Sequence, residues 1–349
     1  MGKGLSILRG SGANFMYAAV FLAALILPYV LVQKYSGQLQ LLLINPVERA
    51  RVFGSITTTL QDFLTLTLGI MVEALPFVIL GVVFSVLIQA FVSAEGLLRW
   101  LPTNGMLRRL SISFMGVLMP VCECGNIPVA RSLMMKGLSV QESIVFLLAA
   151  PSINIVTFVV TWEAFSFNHS VAVVRVLATL VVANLAALLV AKLVPKGKAL
   201  TQEFEAVCAA NSHAKRSWLR ITALFRSEMW LITRMLLIGA MVAAASQTFI
   251  PRDVITAIGS NLWLSVVAML LLAFVISICS SVDAFFALAY VNTFSLGSIL
   301  AFLVAGPMVD IKIISLMKTT YTYRVIAIIT GAVFTCSLLI GVVFSYVWR

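Results

Sequence analysis

The nine residues Pro120-Val121-Cys122-Glu123-Cys124-Gly125-Asn126-Ile127-Pro128 stand between two apolar pieces of chain. They combine two thiols, a carboxylate, an amide, a glycine and two prolines. Proline removes a backbone donor and glycine weakens a helix, so the stretch predicts a helix break. Inside a bilayer a broken helix is tolerated only where protein or a water-filled cavity satisfies the freed backbone groups. The stretch is therefore read as the tip of a substrate site at mid-membrane depth.

The rest of the chain supports a membrane setting. Of its 349 residues 61% are hydrophobic and only 11% are charged, with a mean hydropathy of +1.07. Soluble domains carry about 25% charged residues, so a soluble enzyme is excluded. The net charge of +11 does not imply nucleic acid, because Lys and Arg fall in short segments between apolar runs, as in cytoplasmic loops. The five cysteines are odd in number and scattered through apolar sequence, which excludes a disulfide framework. Cys336 reads as core packing and Cys208, in a polar loop, as incidental.

Apolar segments fall at about 15–33, 56–92, 111–136, 142–162, 171–194, 228–250, 262–291, 298–318 and 325–348. The long ones meet the requirement of roughly 20 residues for a bilayer-crossing helix. The first lacks a good cleavage site and reads as an uncleaved helix. The segment 56–92, holding Asp62, Glu73 and Pro76, reads as one long helix. The expected organisation is an N-terminal transmembrane helix and linker (1–55), a first transmembrane repeat (56–194), a basic cytoplasmic loop (195–226) and a second repeat (227–349). The repeat shows in Phe146-Leu147-Leu148-Ala149-Ala150-Pro151-Ser152-Ile153-Asn154-Ile155, which matches Phe302-Leu303-Val304-Ala305-Gly306-Pro307-Met308-Val309-Asp310-Ile311 at an offset of 156. That offset sets Cys279-Ser280-Ser281-Val282-Asp283 opposite the Cys-Glu-Cys-Gly tip.

Charge then selects a topology. If every segment spans, more Lys and Arg lie outside than inside, against the positive-inside rule. If 111–136 and 262–291 dip in and return, most lie inside, although Lys34, Arg49 and Arg51 still fall outside. This places an odd number of spans between the repeat starts, so the halves are inverted, a plan common in secondary transporters. The fold class expected is all-α, a polytopic inverted-repeat transporter with broken or re-entrant helices and a cytoplasmic N-terminus.

The polar residues suggest the chemistry. Cys122 and Cys124 offer soft ligands for copper(I), zinc or other thiophilic species. A C-x-C pair departs from the C-x-x-C spacing usual in disulfide exchange. Glu123, Asp283 and Asp310 are intramembrane carboxylates and hence candidates for proton coupling. Arg131 and Arg175 are available as their partners; a direct pair of Asp310 with Lys312 is not implied by their spacing. Pro151 and Pro307, followed by Asn154 and Asp310, free carbonyls that half-helix ends could present to a solute. Glu73, Arg234 and Glu142 read as interfacial, and His169 and His213 as solvated. No P-loop, zinc-protease or Gly-x-Ser-x-Gly motif supports an ATPase or hydrolase.

These motifs together resemble the family of predicted permeases typified by ArsP and YraQ: the Pro120–Pro128 tip, Ala149-Ala150-Pro151-Ser152-Ile153-Asn154, Cys279-Ser280-Ser281-Val282-Asp283-Ala284-Phe285 and Gly306-Pro307-Met308-Val309-Asp310-Ile311-Lys312. The resemblance covers most of 56–348 and implies a multi-pass permease of a bacterial inner membrane; its ArsP branch exports trivalent organoarsenicals. The family's first motif commonly reads Cys-Ser-Cys-Gly, where this chain has Glu123. Its second commonly reads Cys-Ser-Glu-Ala-Asp, where this chain has Ser281 and Val282. Substrate-binding residues expected are Cys122, Glu123, Cys124, Gly125, Asn126, Pro151, Asn154, Cys279, Ser280, Asp283, Pro307 and Asp310. The function expected is proton-coupled efflux of a small thiophilic solute, without enzymatic activity or cofactor. A membrane thiol–disulfide oxidoreductase is the alternative. The partners are the lipid bilayer and a small molecule or ion, not nucleic acid; a homo-oligomer is compatible with the sequence.

Overall fold

The computed structural model describes residues 54–93, 96, 97, 99, 101–118, 122–195, 197–211, 218–249 and 262–347. The expected N-terminal helix, the linker charges Lys34, Arg49 and Arg51, Pro120, Val121, Lys196, His213, Lys215 and Arg216 lie outside the described residues. The chain divides into two compact units, 1–61 and 62–349. Of the first, only the backbone from Gly54 onward, which is helical, is described.

Fourteen helices are described: α1 (Gly54–Phe91), α2 (Gly105–Ser113), α3 (Met115–Leu118), α4 (Glu123–Met135), α5 (Val140–Ala149), α6 (Ile155–Ala164), α7 (Ser170–Leu193), α8 (Gln202–Asn211), α9 (Trp218–Phe249), α10 (Leu262–Ile276), α11 (Asp283–Leu288), α12 (Leu296–Ala305), α13 (Ile311–Met317) and α14 (Tyr323–Val347). Among the described residues the only β pairing is an isolated antiparallel bridge between Leu200 and Tyr321. The fold is that of an all-α polytopic membrane protein.

Among the described residues four helices have the length and apolarity to cross a bilayer: Gln61–Phe91 within α1, Ser170–Leu193, Ile221–Gln247 within α9, and Tyr323–Val347. Their outer faces are apolar. On α7, Leu177, Val181, Leu185, Leu189 and Leu193 are all exposed at a strict four-residue spacing. Such a stripe in water would be an extensive unsatisfied apolar patch; against lipid it is at equilibrium. The inner face of the same helix carries Ala178, Val182, Ala183, Ala186, Ala187 and Val190. Small residues there let neighbouring backbones approach, as membrane helix packing favours.

The remaining helices are short because the chain interrupts them. The apolar runs 142–162 and 298–318 are each split, at residues 150–154 and 306–310, by the prolines Pro151 and Pro307. Their bounds keep the repeat's offset of 156 residues: α5 and α12 correspond at both ends, and α6 and α13 begin at corresponding positions. Caps recur too. Ser139 and Ser295 cap α5 and α12, and Asn154 and Asp310 cap α6 and α13. Glu142 completes a capping box with Ser139 and pairs with Arg108, so its buried carboxylate secures a helix start. Residues 142–149 of α5 and 297–305 of α12 are buried throughout, as are 123–134 of α4. α5 and α12 are largely apolar all round, whereas α4 buries Glu123, Asn126, Arg131 and Ser132 among its apolar residues.

Two points correct the expected break at the cysteine tip. Pro128 lies inside α4, and the helix starts at Glu123, upstream of Gly125 and the proline. Gly125 instead serves a close approach: a Cβ on Gly81 of α1 would lie 2.3 Å from the Gly125 carbonyl oxygen. α9 starts at Trp218, inside the stretch expected as the basic loop.

Gly81→Ala must therefore separate α1 from α4. Overpacking of this kind costs about 1–3 kcal/mol, and a lowered Tm of the detergent-purified variant is the expected result; Gly69→Ala, with open space around it, is the unaffected control.

Candidate functional site

Cys122 occupies the N-cap of α4 in extended geometry and its side chain caps nothing, so the thiol is free of local duty. Glu123 follows in the first turn, where the helix N-terminus favours a negative charge. Cys122 lies beside Cys124 and Cys279, so the three thiols singled out in the sequence meet. Ligand atoms of Cys122, Glu123 and Cys279 lie within 4.8 Å of one another, and all three residues are buried. Cys279 comes from the non-helical stretch between α10 and α11, and its thiol donates to Glu123 Oε2 at 3.8 Å. Ser281 in turn donates to Cys279 Sγ at 3.4 Å. Ser280 is buried in the same stretch. Cys208 and Cys336 take no part. Burial pushes the Cys208 thiol up, away from the reactive thiolate form.

Spacing did not reveal the cation at this site. Lys312 Nζ lies 3.2 Å from Glu123 Oε1, 2.9 Å from the Ser277 carbonyl oxygen and 3.7 Å from Asp310 Oδ2. Lys312 is itself buried. Ser277 adopts φ +54°, the only positive φ of a non-glycine among the described residues. Left-handed backbone at a serine is strained and persists only where its surroundings enforce it; here it ends α10 and turns a carbonyl onto the ammonium. Asp310 Oδ1 accepts from the Ile313 N–H at 2.5 Å as the N-cap of α13.

Asp283 lies in a separate pair. Arg175 of α7 holds it in a two-pronged contact, Nη2 to Oδ2 at 2.5 Å and Nη1 to Oδ1 at 3.1 Å, and Nη1 also donates to Thr161 Oγ1 at 2.7 Å. Arg175 is thus a carboxylate's partner, as the sequence allowed. Arg131 is not a partner of any of the three candidate carboxylates. It pairs with Glu228 of α9 at 3.3 Å, donates to the Thr319 carbonyl at 2.7 Å and lies over the ring of Phe204.

The half-helix caps are more local than expected. Asn154 Oδ1 accepts from the Val156 N–H at 2.9 Å, and the Pro151 carbonyl is taken up by Thr157 Oγ1 at 2.9 Å. Pro307 is buried at the corresponding break. Asn126 is the exception: both polar atoms of its buried side chain lack a hydrogen-bond partner among the described residues. A buried amide of this kind is costly unless something else satisfies it.

Buried thiols, paired charges and broken helices, enclosed by bilayer-length helices, define a membrane transport protein of the permease class. The chain belongs to the ArsP family of predicted permeases, whose sequence profile matches residues 59–346. It is 36% identical over 288 residues to YcgR of Bacillus subtilis, a UPF0718 protein, covering 79% of this chain and 98% of that one. It is 31% identical over 293 residues to a Streptococcus mutans protein named as a candidate subunit of a two-component membrane permease complex, covering 83% and 96%. No solved structure matches the chain. The family and these names point to a permease and not to an enzyme.

The Arg175–Asp283 pair predicts a clear asymmetry. Arg175→Met leaves a buried carboxylate alone and should cost about 3–5 kcal/mol, whereas Arg175→Met with Asp283→Leu should recover most of that loss. Thermal unfolding of both variants in one detergent measures the difference.

Proposed function

We propose that this permease exports a small thiophilic solute, a trivalent arsenical or soft metal species, by exchange with protons across the bacterial inner membrane. The observation that carries the reading is the meeting of Cys122, Glu123 and Cys279 from the two sequence-related halves. Thiolates select soft centres, and a thiol must lose its proton to become a ligand. Glu123 Oε2 stands beside the Cys279 thiol to receive that proton. The S–H bond breaks, the proton passes to the carboxylate, and the sulfur electron pair binds the solute. Asn126 supplies a further polar group from the same helix.

The carboxylates divide in this reading. Glu123 and Asp310, which share Lys312, carry the coupling proton. Asp283, neutralised by Arg175, carries it only if that pair opens during transport. A disulfide relay among the same three thiols is the second reading, favoured by Cys122 lying beside both other cysteines. The carboxylate and ammonium set against the thiols favour ligand exchange instead. The two halves are inverted, with α2–α4 and α10–α11 as elements that dip into the bilayer and return.

Cys122→Ser and Cys279→Ser should each abolish transport of phenylarsine oxide and Ag⁺ in proteoliposomes while the proteins remain folded. Normal transport by both would eliminate thiol ligation, and a reductant-reversible disulfide required for turnover would establish the relay. Glu123→Gln and Asp310→Asn should still exchange solute yet fail to concentrate it against a gradient. For orientation, single cysteines placed in 101–110 and 137–141 of a cysteine-free background should label from the same, cytoplasmic side; labelling from opposite sides rejects the dipping arrangement.

A further inference from the structure

Lys312 has no role in ligating a soft centre, yet its ammonium stands against Glu123, the carboxylate of the thiol site. Three elements supply its oxygens: Glu123 at the start of α4, the Ser277 carbonyl at the end of α10, and Asp310 at the start of α13. In their ionised forms Glu123 and Asp310 set two carboxylates against one ammonium, and Glu73 of α1, beside the Cys279 backbone, adds a third negative charge near Lys312 and Glu123. Arg175 and Asp283 balance each other and contribute no net charge to it. The cluster thus has room for at least one further positive charge. Its oxygens are also unevenly engaged. Glu123 Oε1 holds the ammonium while Oε2 faces the Cys279 thiol, and buried Asp310 Oδ2 has no hydrogen-bond partner among the described residues although it lies only 3.7 Å from Nζ.

We infer that the solute bound at Cys122, Glu123 and Cys279 is a cation, and that Lys312 is its tethered competitor. The inference rests on the thiol-ligand reading given above. A cation engaging Glu123 comes within a few ångströms of the ammonium, where like charges repel strongly in a weakly polarisable interior. Lys312 then withdraws to Asp310 Oδ2, an acceptor already within reach and free to bond. When the cation leaves, the ammonium returns to Glu123 and blocks rebinding. Loading and release therefore alternate through one carboxylate. A neutral thiophile makes no such demand on Lys312 and is not favoured by the cluster's charge.

The test is the sign of one change. Full-length protein in detergent and nitrate buffer is titrated with Ag⁺ and, separately, with neutral phenylarsine oxide. Lys312→Met should bind Ag⁺ at least about tenfold more tightly than wild type, because a unit positive charge beside the site is gone. It should leave phenylarsine oxide affinity within about twofold and slow Ag⁺ release in stopped flow. Lys312→Arg should retain the wild-type Ag⁺ affinity. Unchanged or weakened Ag⁺ binding by Lys312→Met overturns the inference. If Lys312→Met does not fold, Lys312→Gln, which keeps a donor for the Ser277 carbonyl, is judged by the same criterion. Cys122→Ser with Cys279→Ser separates the two levels: Ag⁺ affinity undiminished there rejects thiol ligation itself, and with it the inference, whatever Lys312 does.

Discussion

A buried ammonium holding oxygens from three interrupted helices is the constraint on which the centre of this permease depends. Lys312 joins the start of α4, the end of α10 and the start of α13, which lie far apart in the chain. An unpaired charge at that depth would cost several kcal/mol, so the three elements cannot part unless the charge is compensated otherwise. The helix breaks make this possible. An unbroken α10 would direct the Ser277 carbonyl along its axis into its own hydrogen-bond ladder, and could not offer it to a side chain.

The other buried charges act as neutral joints around that centre. Arg175 and Asp283 tie the spanning helix α7 to the first residue of α11. Arg131 ties α4 to α9 through Glu228 and to the turn before α14 through Thr319. The connection between the halves reaches the same place. Thr201 donates to the Thr320 carbonyl, Thr322 donates to the Ala199 carbonyl, and buried Phe204 of α8 lies under the Arg131 guanidinium. The connection is therefore a strap bonded to the turn before α14 and packed on Arg131 of α4, not merely a carrier of basic residues.

The two kinds of buried pair differ in what they permit. The two-pronged Arg175–Asp283 contact is geometrically saturated apart from one guanidinium nitrogen, which favours holding over switching. The Lys312 cluster is asymmetric, with an ammonium on a flexible stem and two carboxylates within reach. A lysine can exchange partners by rotating its side chain; a planar arginine fork loses two aligned bonds at once. The thiols lie beside the cluster that can rearrange.

The sequence by itself determined the membrane setting, the long apolar helices, the breaks at Pro151 and Pro307 and the matched motifs 156 residues apart. Apolar run length, proline position and local caps are properties of neighbouring residues, and bilayer thickness converts them directly into structure. It also singled out Cys122, Glu123, Cys124, Cys279, Asp283 and Asp310, since thiols and carboxylates in apolar sequence are conspicuous wherever they fold. Only the tertiary structure decided their partners. Asp310 and Lys312, two residues apart, point differently around an ideal helix, but Asp310 is an extended N-cap lying outside the helix, and that geometry brings its carboxylate back toward the ammonium. Gly125 and Pro128 read as a break because glycine and proline weaken helices; Gly125 instead meets Gly81, a contact across 44 residues of chain that no local pattern encodes. The pairing of Arg175 with Asp283, and of Arg131 with Glu228 and not with the site, likewise depends on which helices pack together. Local chemistry marked the groups, and the packing of distant helices chose which charges face one another.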